Sequence, residues 1–206
     1  MTNASKPAYR MSFTTGGLFL NESIEVARVH RDGEAWEDTA KRALDQGTTA
    51  LPKSASNRRS LREITNRLRM LTETERRFLL EDADRTDQQA LLWLAACRAY
   101  RFVGEFAVEV IRERYLSYHF DLPLEAFDIL FDAKADWDEG LAKISASTRK
   151  KLRQILFRMM REAEILSADD RIQTAILSPR LKRLVEEENP GDLAYFPGIP
   201  LMERNP

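Results

Sequence analysis

Two stretches of this chain carry the same instruction for a helix. Residues 54–69 read SASNRRSLREITNRLR and residues 145–160 read SASTRKKLRQILFRMM. Ser54, Ala55, Ser56, Arg58, Leu61, Arg62, Ile64 and Arg67 align with Ser145, Ala146, Ser147, Arg149, Leu152, Arg153, Ile155 and Arg158. In each copy serines stand where a helix should start, a basic first turn follows, and apolar residues recur at helical spacing. Leu61, Ile64, Leu68 and Leu71 form one stripe; Leu152, Ile155, Leu156 and Met159 form the other. Stripes of this period must be buried against other elements, which commits the chain to packed helices.

The charges on these helices run against the usual rule. A helix N-terminus carries about half a positive charge and favours acidic side chains, yet Arg58-Arg59 and Arg149-Lys150-Lys151 stand there. A polyanionic partner removes the conflict, because backbone N–H groups and cationic side chains then grip the same phosphates. The competing explanation is that long Arg and Lys stems cover apolar edges while their heads stay hydrated. A duplicated structural helix–turn also accounts for the repeat.

At 206 residues, 43% hydrophobic and 32% charged, the chain is that of an ordinary folded protein with one substantial core or two small ones. The net charge of −1 conceals a strong segregation. Residues 53–69 hold six basic residues against Glu63, and 145–162 hold six against Glu162. Residues 121–139 hold seven acidic residues against Lys134. Local fields of this kind steer partners even where net charge does not. The lone cysteine, Cys97, lies in the apolar run ALLWLAAC and reads as a buried inert thiol. No apolar run approaches the roughly twenty residues a membrane helix needs, and no secretory leader is evident, so a soluble, cytoplasmic protein is expected.

Along the chain, Gly16-Gly17 precedes a first helix, Asp32-Gly33 breaks it, and a second runs from Glu34 to about Asp45. Thr72 with Glu75 forms a capping-box signal directly after the first basic helix. Gln88 to Tyr100 is the most apolar helix and belongs at the centre; Phe102 to Tyr118 and Pro123 to Phe131 follow, and Trp137 is expected against the core. Gly104 inside its helix permits close packing, and Ser147 is read as the cap of the second basic helix. Ile165-Leu166 and Arg171-Ile172-Gln173 flank a SADD turn that suits a short hairpin, after which Ser178-Pro179 launches a last helix to Glu188. The expected fold is mainly all-α, a compact helical bundle with a C-terminal winged-helix-like segment containing a short β-hairpin. Its divisions are a flexible terminus at 1–11, a helical domain at 12–140, the winged-helix-like segment at 141–190 and an irregular tail at 191–206, tied down by Tyr195 and Phe196.

No catalytic constellation emerges. His30 and His119 lack any zinc spacing. The aspartates of 128–138 lack the calcium-loop pattern and read as a solvated acidic face, although metal-dependent cleavage through Asp132 or Asp136 would be the enzymatic alternative. Gly16-Gly17 has no following Gly-Lys-Ser/Thr and is not a phosphate loop. No enzyme, metal or cofactor is expected.

Four stretches, SFTTGGLFLNESIEVARV, LLWLAACRAYRFVGEFAVEVIRERY, DILFDAKADW and SASTRKKLRQILFRMMREAEILSADDRI with LSPRL after it, resemble the BrxA family of the BREX bacteriophage-exclusion systems over roughly residues 12–197. The resemblance implies a mainly helical protein of phage defence, similar to proteins that bind double-stranded DNA, working beside other BREX proteins and bringing no catalytic residues. On that basis Arg58, Arg59 and Arg62 would contact phosphate from one helix, and Arg149, Lys150, Lys151, Arg153 and Arg158 from the other. Arg171 would serve as the wing, with Arg180, Lys182 and Arg183 extending the patch. Asn57, Thr148 and Gln154 are the few polar side chains available to base edges, so weakly specific, salt-dependent binding is expected. The alternative is a protein–protein adaptor whose acidic and basic faces dock different partners.

Overall fold

The computed structural model describes residues 8–49 and 55–201, without the side chains of Ala55 and Ser56. Ser54, at the start of the first repeated stretch, lies outside the described residues. The chain begins α1 (Leu20–Val29), α2 (Trp36–Gln46), α3 (Ala55–Leu68), α4 (Glu73–Glu81) and α5 (Arg85–Ala99). It continues α6 (Arg101–Phe106), a π-helical turn at Ala107–Arg112, α7 (Glu113–Leu116), α8 (Glu125–Ala135), α9 (Glu139–Ala142), α10 (Ala146–Glu162), α11 (Pro179–Glu188) and a 3₁₀ stretch at Pro190–Tyr195.

The apolar helix α5 is the backing for the rest. Every residue from Ala90 to Cys97 is buried, and α1, α3, α4, α6, α10 and the 3₁₀ stretch all pack on it. Both basic helices therefore share one wall. Gly104 of α6 comes close enough that a Cβ there would stand 3.0 Å from the Cys97 carbonyl and 3.2 Å from the Tyr195 ring, so the expected close packing is present. The rod expected over 102–118 is continuous but passes through the π turn, with Ala107 and Ile111 buried within it.

Local chemistry fixes the helix ends. Thr72 accepts from the Glu75 N–H while the Glu75 carboxylate accepts from the Thr72 N–H, a reciprocal cap of the kind worth about 1 kcal/mol. Asp84 caps α5 and Ser178 caps α11, with Pro179 in the first turn. The cap of α10 is Ser145, whose hydroxyl accepts from the Thr148 N–H, and not Ser147 as the spacing suggested.

The winged-helix-like hairpin does not form. Among the described residues there are no strands, only isolated antiparallel bridges joining Asp121 to Arg171 and Leu166 to Ile172. The SADD turn itself is present, with Asp170 at φ 58° and Ser167 N–H donating to the Arg171 carbonyl. Beyond it the backbone divides its hydrogen bonds. Gln173 donates to Ile165, Ile172 to Phe120 and Ala175 to Pro197, so no single partner extends a ladder. One hydrophobic core cluster runs from Tyr9 to Phe196. Tyr9 is buried, donates to Glu105 and packs against Phe102. Phe196 anchors the tail as expected, whereas Trp137 leans on Tyr9 at 5.5 Å and stays 47% exposed.

Candidate nucleic-acid interface

At 3.6 residues per turn, Arg58, Arg59, Arg62, Asn66 and Arg69 fall within about 100° of one another around α3 and its last turn. The four arginines are exposed, while Leu61, Ile64 and Leu68 on the opposite side are buried against α5 and α1. None of the four has an ion pair among the described residues. The first turn of α3 contains no acidic residue, and Glu63 is turned inward to accept from the Tyr100 hydroxyl. Arg67, aligned with Arg158 in the repeat, is also withdrawn. It is buried against Phe19 and Tyr100 and donates to the Gly17 carbonyl at 2.6 Å.

The second basic helix keeps little of its charge free. Arg149 donates through Nε to Asp128 at 2.7 Å and through Nη2 to Asp132 at 2.9 Å, and its guanidinium stacks 4.5 Å over Phe131. Arg153 pairs with the other Asp128 oxygen. The Arg149 hydrogen bonds hold the Asp132 carboxyl below its usual range and raise the arginine's own pKa. The acidic run and the second basic helix thus satisfy each other across the α8–α10 contact. Lys150 and Lys151 remain exposed without an ion pair among the described residues. Arg158 donates to Glu162, which also accepts from the Leu18 N–H. Gly17 and Leu18 therefore receive the C-terminal ends of both repeated helices, one through Arg67 and the other through Glu162.

The remaining cations divide in the same way. Arg171 pairs with Asp121, Arg180 with both oxygens of Asp82, and Lys182 with Glu186. Arg183 is exposed with no ion pair among the described residues. Of the polar side chains named for base contact, Asn57 is 4% exposed and faces inward, Thr148 is half-buried, and Gln154 is exposed. Arg69 and Arg77, which were not among the expected contacts, are likewise exposed with no ion pair among the described residues. Arg69 lies eleven residues after Arg58, on the same helical stripe, and that spacing was the available signal.

His30 stacks on Trp36 at 3.8 Å, and burial, followed by nearby Arg76, lowers its pKa. Cys97 is wholly enclosed, and burial pushes its thiol well above the ordinary value. Among the described residues no group of three or more His, Cys, Asp and Glu side chains converges to hold a metal ion. Nor is any described helix long and apolar enough to cross a membrane.

A crystal structure of an uncharacterized protein from Magnetospirillum magneticum has the same fold, with a TM-score of 0.77 over 92% of this chain and 98% of that one, at 21% identity. No curated protein matches. The BrxA family model matches residues 7–189, which takes in α1 to α11 and both basic helices. The chain belongs to the BrxA family, and with it to the BREX systems of phage defence.

Proposed function

We propose that this protein is a non-catalytic, double-stranded-DNA-binding component of its defence system, acting in the cytoplasm and gripping the phosphate backbone through α3. One observation carries the reading: Arg58, Arg59, Arg62 and Arg69 share an exposed stripe with no carboxylate paired to any of them among the described residues. From Arg58 to Arg69 the helix rises about 16 Å, enough to meet several phosphates in succession. The side chains offered to base edges are few, since Asn57 is buried and Asn66 half-buried. Binding then follows the backbone and carries little sequence information.

The test is fluorescence anisotropy of a labelled random-sequence duplex, titrated with salt, for the wild type and for Arg58→Ala/Arg59→Ala/Arg62→Ala. Each phosphate contact contributes about −0.9 to the slope of log K against log salt. The triple variant should bind more weakly, with a slope shallower by up to about 2.7. An unchanged slope removes DNA from α3, and absence of wild-type binding at low salt removes the DNA reading altogether.

A second reading, a protein-docking adaptor, is favoured by the outward edge of α8. Ile129 there is 71% exposed between the exposed carboxylates of Glu125, Asp132 and Asp136, with Leu124 42% exposed at the helix start. That combination suits a basic, partly apolar protein surface, and tight capture by another BREX protein together with indifference to DNA would select it.

A further inference from the structure

An open groove of about 410 Å³ lies between α4 and α11, lined by Thr74, Arg77, Phe78, Arg180, Arg183 and Glu187 among others. Its walls bring arginines from two helices to one cleft. Arg77 enters from α4 and Arg183 from α11; both are exposed, and neither has an ion pair among the described residues. Arg180 is fixed in place, with its two Nη groups each 2.7 Å from an Asp82 oxygen and its guanidinium 5.5 Å from the Phe78 ring centre. Asp82 offsets the charge of Arg180, so Arg77 and Arg183 set the sign of the groove against Glu187 alone.

The groove is also held rigid from behind. Arg98 donates to both oxygens of buried Glu75 in α4, to Asp192 just after α11, and to the Met70 carbonyl in the α3–α4 turn. The stripe on α3 ends at Arg69, and α4 begins at Glu73. Eight residues separate Arg69 from Arg77, half of them helical, which keeps the two within about 20 Å. A duplex carries a phosphate every 3.4 Å along each strand, so one molecule of DNA reaches both.

We infer that this groove is a second phosphate site for the duplex engaged by α3, with the sugar–phosphate backbone lying between Arg77 and Arg183 and the Thr74 hydroxyl beside it. The inference rests on the DNA reading above. A phosphodiester strand fits the lining because it presents a single charge at each step with apolar sugar edges between, facing Phe78 and Leu184.

The experiment is the same salt titration on the full chain, comparing wild type, Arg77→Ala/Arg183→Ala, Arg77→Lys/Arg183→Lys and the α3 triple variant. The alanine pair should shorten the slope by about 1.8, two contacts' worth, while the lysine pair keeps most of it. A weakened α3 variant beside an alanine pair with wild-type slope overturns the groove and leaves the α3 reading standing. No wild-type binding overturns both. Loss of a polyglutamate peptide by the alanine pair, with DNA binding intact, assigns the groove to acidic protein and overturns the phosphate site. Should the double variant lose its cooperative melt, Arg77→Gln and Arg183→Gln carry the test singly, each expected to lower the slope by about 0.9.

Discussion

Arg98 joins α5 to two buried carboxylates, Glu75 at 0% side-chain exposure and Asp192 at 6%, from a position itself only 12% exposed. Hydrogen bonds to both partners raise its pKa against the cost of burial. Glu75 serves twice, since the same carboxylate closes the reciprocal cap with Thr72. Removing the arginine would leave two enclosed anions without their partner, and breaking a buried pair from one side costs about 3–5 kcal/mol. Arg98→Ala should therefore lower the unfolding free energy, and with it the denaturant midpoint, strongly, while Arg69→Ala, on the exposed stripe, should leave that free energy within about 0.5 kcal/mol of wild type. Equal midpoints for the two variants would remove Arg98 from its place as the fastening of the groove. Nothing in the local sequence marks Arg98 for this role, because its partners lie 23 and 94 residues away.

Two helices with nearly the same opening sequence end in different electrostatic states, and the difference lies in their neighbours. Facing α10 is α8, whose Asp128 and Asp132 are four residues apart on one side and close around Arg149. For α3, which packs on α1, α2 and α5, no carboxylate among the described residues pairs with the exposed arginines. Period and caps were legible in the sequence because they are set within a few residues, as with Leu61, Ile64 and Leu68 or Thr72 and Glu75. The segregated charge was legible too, but not its neutralisation, which depends on a contact between residues 128 and 149. The hairpin failed for a related reason. Its turn is encoded locally by Ser167 and Asp170, whereas its flanks are shared with Phe120 and Pro197 from distant segments. Arg149→Ala should accordingly leave duplex affinity and salt slope near wild type and destabilise the fold by about 1–3 kcal/mol through the lost α8–α10 hydrogen bonds. Calorimetry paired with the anisotropy titration reads both, and a large loss of DNA binding without a lower melting temperature would return α10 to the interface.

At the scale of the molecule, a net charge of −1 is reconciled with duplex binding by keeping exposed carboxylates off the arginine stripe of α3. The stripe of α3 presents no carboxylate, while Glu125 at the start of α8 and Asp136 just past its end stand exposed with no ion pair among the described residues. Off the stripe, such carboxylates act through their field, whose screening length is about 10 Å at 0.1 M salt and about 30 Å at 0.01 M. They repel approaching DNA and so act on encounter, whereas the arginines act on the bound state. Glu125→Gln with Asp136→Asn should raise the association rate in stopped-flow measurements at low salt, with the gain fading as salt rises. The equilibrium salt slope should stay at the wild-type value, because the number of phosphates neutralised is unchanged. A steeper slope would mean that these carboxylates had been competing for phosphate contacts, and it would bring α8 and the arginines it holds onto the face that meets DNA.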